Sequence, residues 1–206
     1  MSGSIVVQRP AAPSELILLF HGVGSQPASL VPLAGLIASA HPAAFVVSVE
    51  GAHPSDMGNG RQWFPVRGVT EENRPERVAT AMPAFAEAVQ QWQHESRVGP
   101  QATSIVGFSQ GSIMGLESLN LEVPLGARLV AIAGRFATLP DHVAKGIDVH
   151  LVHGSHDPVM TPDHAVDART RLQLLGVPVT LDLVEGLGHS IDERAAAHVV
   201  ARLAPD

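Results

Sequence analysis

The sequence of 206 residues contains no cysteine, and this absence excludes three kinds of chemistry. Disulfide crosslinks, a thiolate nucleophile and a cysteine-ligated metal all need a residue that the chain lacks. Positive charge is also scarce, because 13 lysines and arginines face 20 aspartates and glutamates, for a net charge of −7. Nucleic acids bind to clustered positive charge, and the arginines between Arg61 and Arg77 are interspersed with glutamates. We therefore expect no nucleic-acid partner.

Long hydrophobic runs are missing as well. The longest apolar runs, such as 16–20 and 129–133, are far shorter than the roughly 20 residues of a membrane-spanning helix. The start of the chain lacks the basic region and long apolar run of a signal peptide. With 45% apolar and 16% charged residues, the composition is that of a globular protein. We predict one soluble, cytoplasmic domain over residues 1–206, without stable membrane insertion, and the sequence leaves the oligomeric state open.

What the chain does contain is an alternation of short apolar segments with longer amphipathic ones. Most of the short segments lack polar alternation, which is typical of strands buried on both faces of a parallel sheet. The clearest helix pattern runs from Val78 to Trp92, although Pro83 should kink or interrupt this helix. Ser190 and Glu193 have capping-box spacing before the last helix. The predicted strands are 16–20, 45–49, 103–108, 129–133, 149–152 and 179–184.

Strands that alternate with helices predict an α/β fold with a mostly parallel central sheet and helices on both faces. In such sheets ligands bind beyond the carboxyl ends of the strands, so functional side chains are expected on the loops there. Three of these loops carry Ser109, Asp157 and His189, in this order along the chain. That order is typical of the α/β-hydrolases, and the chain is too short for a separate cap domain.

Ser109 lies in the sequence GFSQG, between a predicted strand and a predicted helix over 112–119. A nucleophilic serine at such a junction needs a tight turn, and Gly107 and Gly111 avoid collisions where strand and helix pass closely. The helix also directs its free N–H groups at the reacting oxygen. The alternative is that Ser109 is an ordinary turn residue in a chain with 19 glycines. The positions of the predicted strand, helix, acid and base relative to Ser109 favour a nucleophilic role over that of an ordinary turn residue.

The other groups of the predicted site follow from the needs of this serine. His189 is expected to take the serine proton, while Asp157 holds the imidazole in the right tautomer. Asp157 is preferred as the acid because it lies on a loop after a strand, although it could simply start a turn. The backbone N–H groups of Gln110 and Val23 are the predicted oxyanion donors. The competing carboxylates lie within a predicted helix or strand, namely Asp163, Asp167 and Asp182.

Three histidines, His150, His153 and His156, have the spacing H-x-x-H-x-x-H, which suggests a zinc site. However, His150 and His153 would point to opposite faces of a strand, so they cannot easily share a metal ion. We therefore predict no metal and no cofactor. Another histidine, His21, precedes a glycine turn, where its side chain is expected to brace the oxyanion loop.

The segments LLFHGVGS, GFSQGS, HGSHDPV and GLGHSID together resemble the phospholipase/carboxylesterase family of small α/β-hydrolases. Residues 60–78 are similar to a bacterial carboxylesterase subgroup, and the family also includes acyl-protein thioesterases. The resemblance covers nearly the whole chain. It implies the same catalytic residues and oxyanion donors as above, and it implies that Trp63 and Phe64 lie near the substrate groove. The sequence departs from the family pattern at Val23, at Ser25 and at 133–136, which leaves the preferred substrate open.

We therefore predict a serine carboxylesterase that cleaves a small-molecule ester through an acyl-enzyme. One alternative is an acyl-protein thioesterase or lysophospholipase, since the motifs encode neither leaving group nor acyl length. Another is a non-catalytic binding scaffold. A scaffold, however, has no need to keep the serine, the acid and the base together with the two glycines beside Ser109. Trp63 and Phe64 either anchor their loop to the core or wall a short groove, which favours acyl chains of about two to eight carbons.

Overall fold

A computed structural model describes residues 3–204, which form nine strands and five α-helices. The strands are β1 (Ile5–Gln8), β2 (Glu15–Phe20), β3 (Ala44–Val49), β4 (His53–Pro54), β5 (Arg61–Gln62), β6 (Thr103–Phe108), β7 (Arg128–Ile132), β8 (Asp148–Gly154) and β9 (Val179–Val184). The helices are α1 (Val31–Ala40), α2 (Arg74–Ser96), α3 (Gln110–Glu117), α4 (Asp163–Leu174) and α5 (Glu193–Leu203). All six strands predicted from the sequence are present, with small shifts at their ends.

Seven strands form one sheet in the spatial order β1-β3-β2-β6-β7-β8-β9. β1 is antiparallel to β3, and all other neighbours in this sheet are parallel. Successive residues alternate between the faces, so Leu16, Leu18 and Phe20 pack into one core layer while Ile17 and Leu19 pack into the other. Helices α2, α3 and α4 cover the first layer, and α1 and α5 cover the second. This arrangement confirms the predicted mostly parallel sheet with helices on both faces.

The predicted cap of α5 is wrong, and the interruption that was one of the two outcomes predicted for Pro83 in α2 does not occur. The cap of α5 is Asp192 rather than Ser190, because the Asp192 carboxylate accepts a hydrogen bond from the Ala195 N–H at 2.9 Å. The extended backbone of Asp192 is the conformation that an N-cap residue needs. Pro83 does not interrupt α2, which continues through it from residue 74 to residue 96. Burial of apolar side chains on both sides of Pro83, such as Val78 and Phe85, stabilises the helix despite the missing N–H donor.

The connection between β3 and α2 is long, and it contains the two-stranded hairpin of β4 and β5. This hairpin and the segment that follows it lie beside the loop after β2. Arg61, the first residue of β5, forms an isolated antiparallel bridge with Ser25 on that loop. Within residues 3–204, no segment forms a separate cap over the carboxyl edge of the sheet. None of the helices described is both long and apolar enough to cross a membrane.

Candidate active site

Ser109 lies at the junction between β6 and α3, in a backbone conformation that is rare for a residue with a side chain. Its φ is 54° and its ψ is −114°. The turn is held because the Ser109 N–H donates a 2.9 Å hydrogen bond to the carbonyl of Ile132 at the end of β7. A Cβ on Gly107 would overlap the backbone at the start of α3, and one on Gly111 would overlap the backbone of Phe20. Only glycine therefore fits at either position.

The structure brings Ser109, Asp157 and His189 into one hydrogen-bonded chain. The Ser109 Oγ lies 2.9 Å from the His189 Nε2, and the His189 Nδ1 lies 2.7 Å from the Asp157 Oδ2. The three residues come from loops that follow β6, β8 and β9, so they meet at one edge of the sheet. The ring of Phe108 packs against the His189 ring with 5.2 Å between the centroids, which restricts its rotation.

Asp157 is fixed on both of its oxygens. Its Oδ1 accepts hydrogen bonds from the N–H groups of Val159 and Met160, at 2.8 and 2.9 Å. Burial alone would raise the pKa of Asp157, but the hydrogen bonds from His189, Met160 and Val159 outweigh it and hold the pKa below its ordinary value. The carboxylate is therefore ionised at neutral pH, and its Oδ2 accepts a hydrogen bond from the Nδ1–H of His189. This contact leaves Nε2 as the acceptor for the Ser109 hydroxyl.

The two residues predicted to supply oxyanion donors border this serine. Gln110 is the first residue of α3, so its backbone N–H has no acceptor within the helix. Val23 lies on the loop after β2, which comes so close that a Cβ on Gly22 would lie 3.2 Å from the Cβ of Ser109. Within residues 3–204, the Val23 N–H donates no hydrogen bond to the backbone of another loop. Neither N–H group thus has a backbone acceptor among residues 3–204, and that the two groups hold an oxyanion stays a prediction.

His21 is completely buried next to this loop and bonds on both ring nitrogens. Its Nε2 accepts a hydrogen bond from the Gly51 N–H at 3.1 Å, so its Nδ1 carries the proton and donates to the Gly22 carbonyl at 2.8 Å. Burial lowers the pKa of His21 and keeps the ring neutral. Because the C=O and N–H of a trans peptide point in opposite directions, the bond to Gly22 turns the Val23 N–H away from His21. These contacts agree with the expected brace.

The side chain of Gln110 has a role that the sequence did not reveal. It is 2% exposed, and its Oε1 accepts a 2.7 Å hydrogen bond from the Trp63 N–H. Its Nε2 donates a 2.7 Å hydrogen bond to the Phe64 carbonyl. The residue after the serine therefore fastens the turn at Ser109 to the segment after β5. The only signal in the sequence is an amide side chain at a position where many residues fit.

Trp63 and Phe64 are both 2% exposed and belong to the core. The Trp63 ring packs edge-on against Phe20 and Phe85, with centroids 5.2 and 5.7 Å apart, and its Nε1 donates to the His21 carbonyl at 2.8 Å. The two side chains thus anchor their loop to the core. That they also wall the substrate groove stays a prediction.

The regularly spaced histidines have separate partners. The His150 Nδ1 lies 2.8 Å from the hydroxyl of Thr180 on β9, whereas the His153 Nε2 donates to the carbonyl of Met160 at 2.8 Å. The His153 Nε2 is also 3.5 Å from the Asp157 Oδ2. Among the residues described, no three histidines or carboxylates are grouped to hold a metal ion.

Comparisons with known proteins identify relatives among esterases. Esterase YpfH of Escherichia coli (strain K12) is 49% identical over 191 residues, which are 92% of this chain and 82% of YpfH. The crystal structure of esterase PE8 has a TM-score of 0.84 at 26% identity, covering 92% of this chain and 91% of that one. A carboxylesterase from Mesorhizobium loti shares the fold, with a TM-score of 0.76 at 23% identity over 91% and 87% of the two chains. The family model described as phospholipase/carboxylesterase matches residues 1–204, and the chain therefore belongs to the phospholipase/carboxylesterase family.

Proposed function

We propose that the protein is a serine carboxylesterase that hydrolyses small-molecule esters through an acyl-enzyme on Ser109. The observation that carries this proposal is the unbroken hydrogen-bonded chain from Ser109 through His189 to Asp157, at 2.9 and 2.7 Å. An ordinary turn serine needs neither a left-handed backbone nor a histidine partner that is itself oriented by a carboxylate. Membership of a hydrolase family and the esterase name of the relative from Escherichia coli support the proposal.

In the first half of the reaction, the Ser109 Oγ attacks the ester carbonyl carbon while the His189 Nε2 takes its proton. Asp157 stabilises the imidazolium because its carboxylate accepts the Nδ1–H. The carbonyl oxygen becomes an oxyanion and accepts hydrogen bonds from the Val23 and Gln110 N–H groups. His189 then gives its proton to the leaving alkoxide oxygen, the carbon–oxygen bond breaks, and an alcohol departs.

The second half of the reaction uses the same groups on water. His189 takes a proton from a water molecule, and the hydroxide oxygen attacks the acyl carbon of the Ser109 ester. The same N–H groups hold the second oxyanion. When that intermediate collapses, the proton returns from His189 to the Ser109 oxygen, and a carboxylic acid is released. The histidine thus acts as base and acid in turn, which explains why its orientation must be fixed from the Asp157 side.

A fluorophosphonate probe tests the proposal directly. The probe should label Ser109, as located by mass spectrometry, and Ser109→Ala should abolish both the labelling and the hydrolysis of p-nitrophenyl acetate. The unfolding temperature of Ser109→Ala should stay near that of the wild type. Ser39→Ala, at an exposed serine on α1, is the matched control and should retain both signals. Labelling and activity that persist on another serine would contradict the proposal.

The leaving group is tested with one acyl chain presented as an oxygen ester, as a thioester and as a lysophospholipid. A serine carboxylesterase should give its highest kcat/KM on the oxygen ester. A clear preference for the thioester or the lysophospholipid favours the alternative activities of the family. Binding of all three without turnover favours a scaffold.

A further inference from the structure

His153 is a buried histidine that the proposed reaction does not use. It is the second-last residue of β8, the strand that lies between β7 and β9 in the sheet. Its side chain is 1% exposed, so the polar atoms of the ring are removed from water. Burying a polar group without a hydrogen bond costs free energy. The partners of this ring therefore indicate what it does.

The ring of His153 bonds to the loop that carries Asp157. Its Nε2 lies 2.8 Å from the carbonyl oxygen of Met160. A carbonyl oxygen can only accept a hydrogen bond, so Nε2 carries a proton and donates it there. The same Nε2 lies 3.5 Å from the Asp157 Oδ2, which is beyond the usual hydrogen-bond length. His153 therefore holds Met160 and leaves this carboxylate oxygen to His189.

Met160 in turn holds the other oxygen of the acid. Its N–H donates to the Asp157 Oδ1 at 2.9 Å, and the Val159 N–H donates to the same atom at 2.8 Å. Both donors belong to the short loop 157–160, so they direct the carboxylate only as well as the loop itself is fixed. The Asp157 side chain is 0% exposed, so solvent cannot replace a lost donor. The direction of Oδ2 thus depends on where Met160 is held.

The rest of the loop has attachments of its own. Just before it, the His156 N–H donates to the Leu187 carbonyl at 2.9 Å, and after it the chain continues into α4. These attachments keep the loop in place as a whole. Within residues 3–204, His153 supplies the side-chain hydrogen bond that joins Met160 to a strand of the sheet. Loss of this bond therefore permits a small local shift and no larger movement.

We propose that His153 is a positioning residue that acts through Met160 to keep the Asp157 carboxylate aimed at the imidazole of the site. This inference rests on the proposed esterase function. Without the bond to Met160, the carboxylate shifts with its loop and stabilises the imidazolium of the transition state less well. The groups that contact the ester are unchanged. The loss should therefore appear in kcat, while KM stays close to its wild-type value.

The test measures kcat and KM for p-nitrophenyl acetate in variants that remove or keep the donor. His153→Leu has a similar volume and no donor, and it should lower kcat about 10- to 100-fold. His153→Gln places an amide N–H near the position of Nε2 and should recover most of this loss. The amide of His153→Asn is one carbon shorter, so this variant should not recover it. The contrast between the two amides decides the question if the leucine variant does not fold.

Two comparisons separate positioning from a general loss of stability. His150→Leu makes the same substitution on the same strand and removes a 2.8 Å contact with Thr180, but it should leave kcat at the wild-type value. In an Asp157→Asn background, His153→Leu should lower kcat much less than it does in the wild type. The reason is that the histidine acts through a carboxylate that this background lacks.

Four outcomes overturn the positioning role and leave the esterase proposal standing. They are a wild-type kcat in folded His153→Leu, equal kcat values in the glutamine and asparagine variants, an equal loss of kcat in His150→Leu, and an undiminished effect of His153→Leu in the Asp157→Asn background. A wild-type protein that neither hydrolyses the ester nor reacts with the fluorophosphonate overturns both proposals.

Discussion

Replacing Gln110 with methionine should show how strongly the turn at Ser109 is fastened to the segment after β5. Methionine is close to glutamine in length and is tolerated in apolar surroundings, so the change removes two hydrogen bonds without opening a large cavity. The backbone N–H of Gln110 remains. The Trp63 N–H and the Phe64 carbonyl, which now bond to the glutamine at 2.7 Å each, are left without partners.

The expected loss follows from the burial of these two groups. A buried polar group that loses its only partner costs about 1–3 kcal/mol, so two such groups should lower the free energy of unfolding by about 2–6 kcal/mol. The middle of that range, about 4 kcal/mol, corresponds to a fall in Tm of about 8–16 °C for a domain of this length. We also expect kcat to fall, by less than the roughly 10²–10³-fold that follows the loss of an entire oxyanion donor.

Urea unfolding followed by tryptophan fluorescence measures the stability term, and hydrolysis of p-nitrophenyl acetate measures kcat. Gln90→Met, at an exposed position on α2, is the control and should change neither quantity beyond error. A loss of less than about 1 kcal/mol in Gln110→Met would refute the reasoning, because the two backbone groups would then have found other partners.

Asp157→Asn should lower kcat by about 10⁴ because the tautomer of His189 is lost, whereas a fall of a few-fold would shift the role to another carboxylate. His21→Phe should lower kcat more than it raises KM, because the peptide that carries the Val23 N–H loses its hydrogen bond from His21. A kcat and KM equal to those of the wild type would show that His21 does not support this loop. Arg202 holds the pKa of Asp182 below its ordinary 3.8, so the unfolded chain binds that proton more readily and stability is lost as the pH falls below about 4. Asp182→Asn should therefore show a smaller drop in Tm on acidification than the wild type.

The sequence predicts six of the seven strands of the central sheet and the three side chains of the hydrogen-bonded chain for a common physical reason. Buried parallel strands have a strong local signature, because both faces must be apolar over several residues. A residue that follows such a strand directly must lie at the carboxyl edge of the sheet. Ser109, Asp157 and His189 can therefore be assigned to the same edge before any contact is known. The glycines beside Ser109 add a steric signature that lies within five residues.

Other features depend on contacts between distant parts of the chain. β1 is a short edge strand with half-buried residues, and nothing in IVVQ alone indicates that it pairs with β3. α1, with the sequence VPLAGLIASA, is apolar almost throughout and lacks the period of an amphipathic helix. The amide of Gln110 reaches partners 46 and 47 residues away. The ion pair between Glu71 and Arg135 joins residues that are 64 positions apart. No local pattern contains such pairings.

Backbone strain by itself does not identify the nucleophile, because Ala133 has the same feature. Its φ is 49°, and it follows β7 as Ser109 follows β6. Each residue donates its N–H to the last part of the neighbouring strand, Ser109 to Ile132 and Ala133 to Val152, both at 2.9 Å. In Ala133 the left-handed turn leads the chain to Gly134, which must pass close to α3. Ser109 differs because its turn ends at a helix N-terminus and its side chain meets an oriented imidazole. The proposed hydrolysis needs that combination, and in it the strained turn holds the hydroxyl where the helix N-terminus and the imidazole can both act on it.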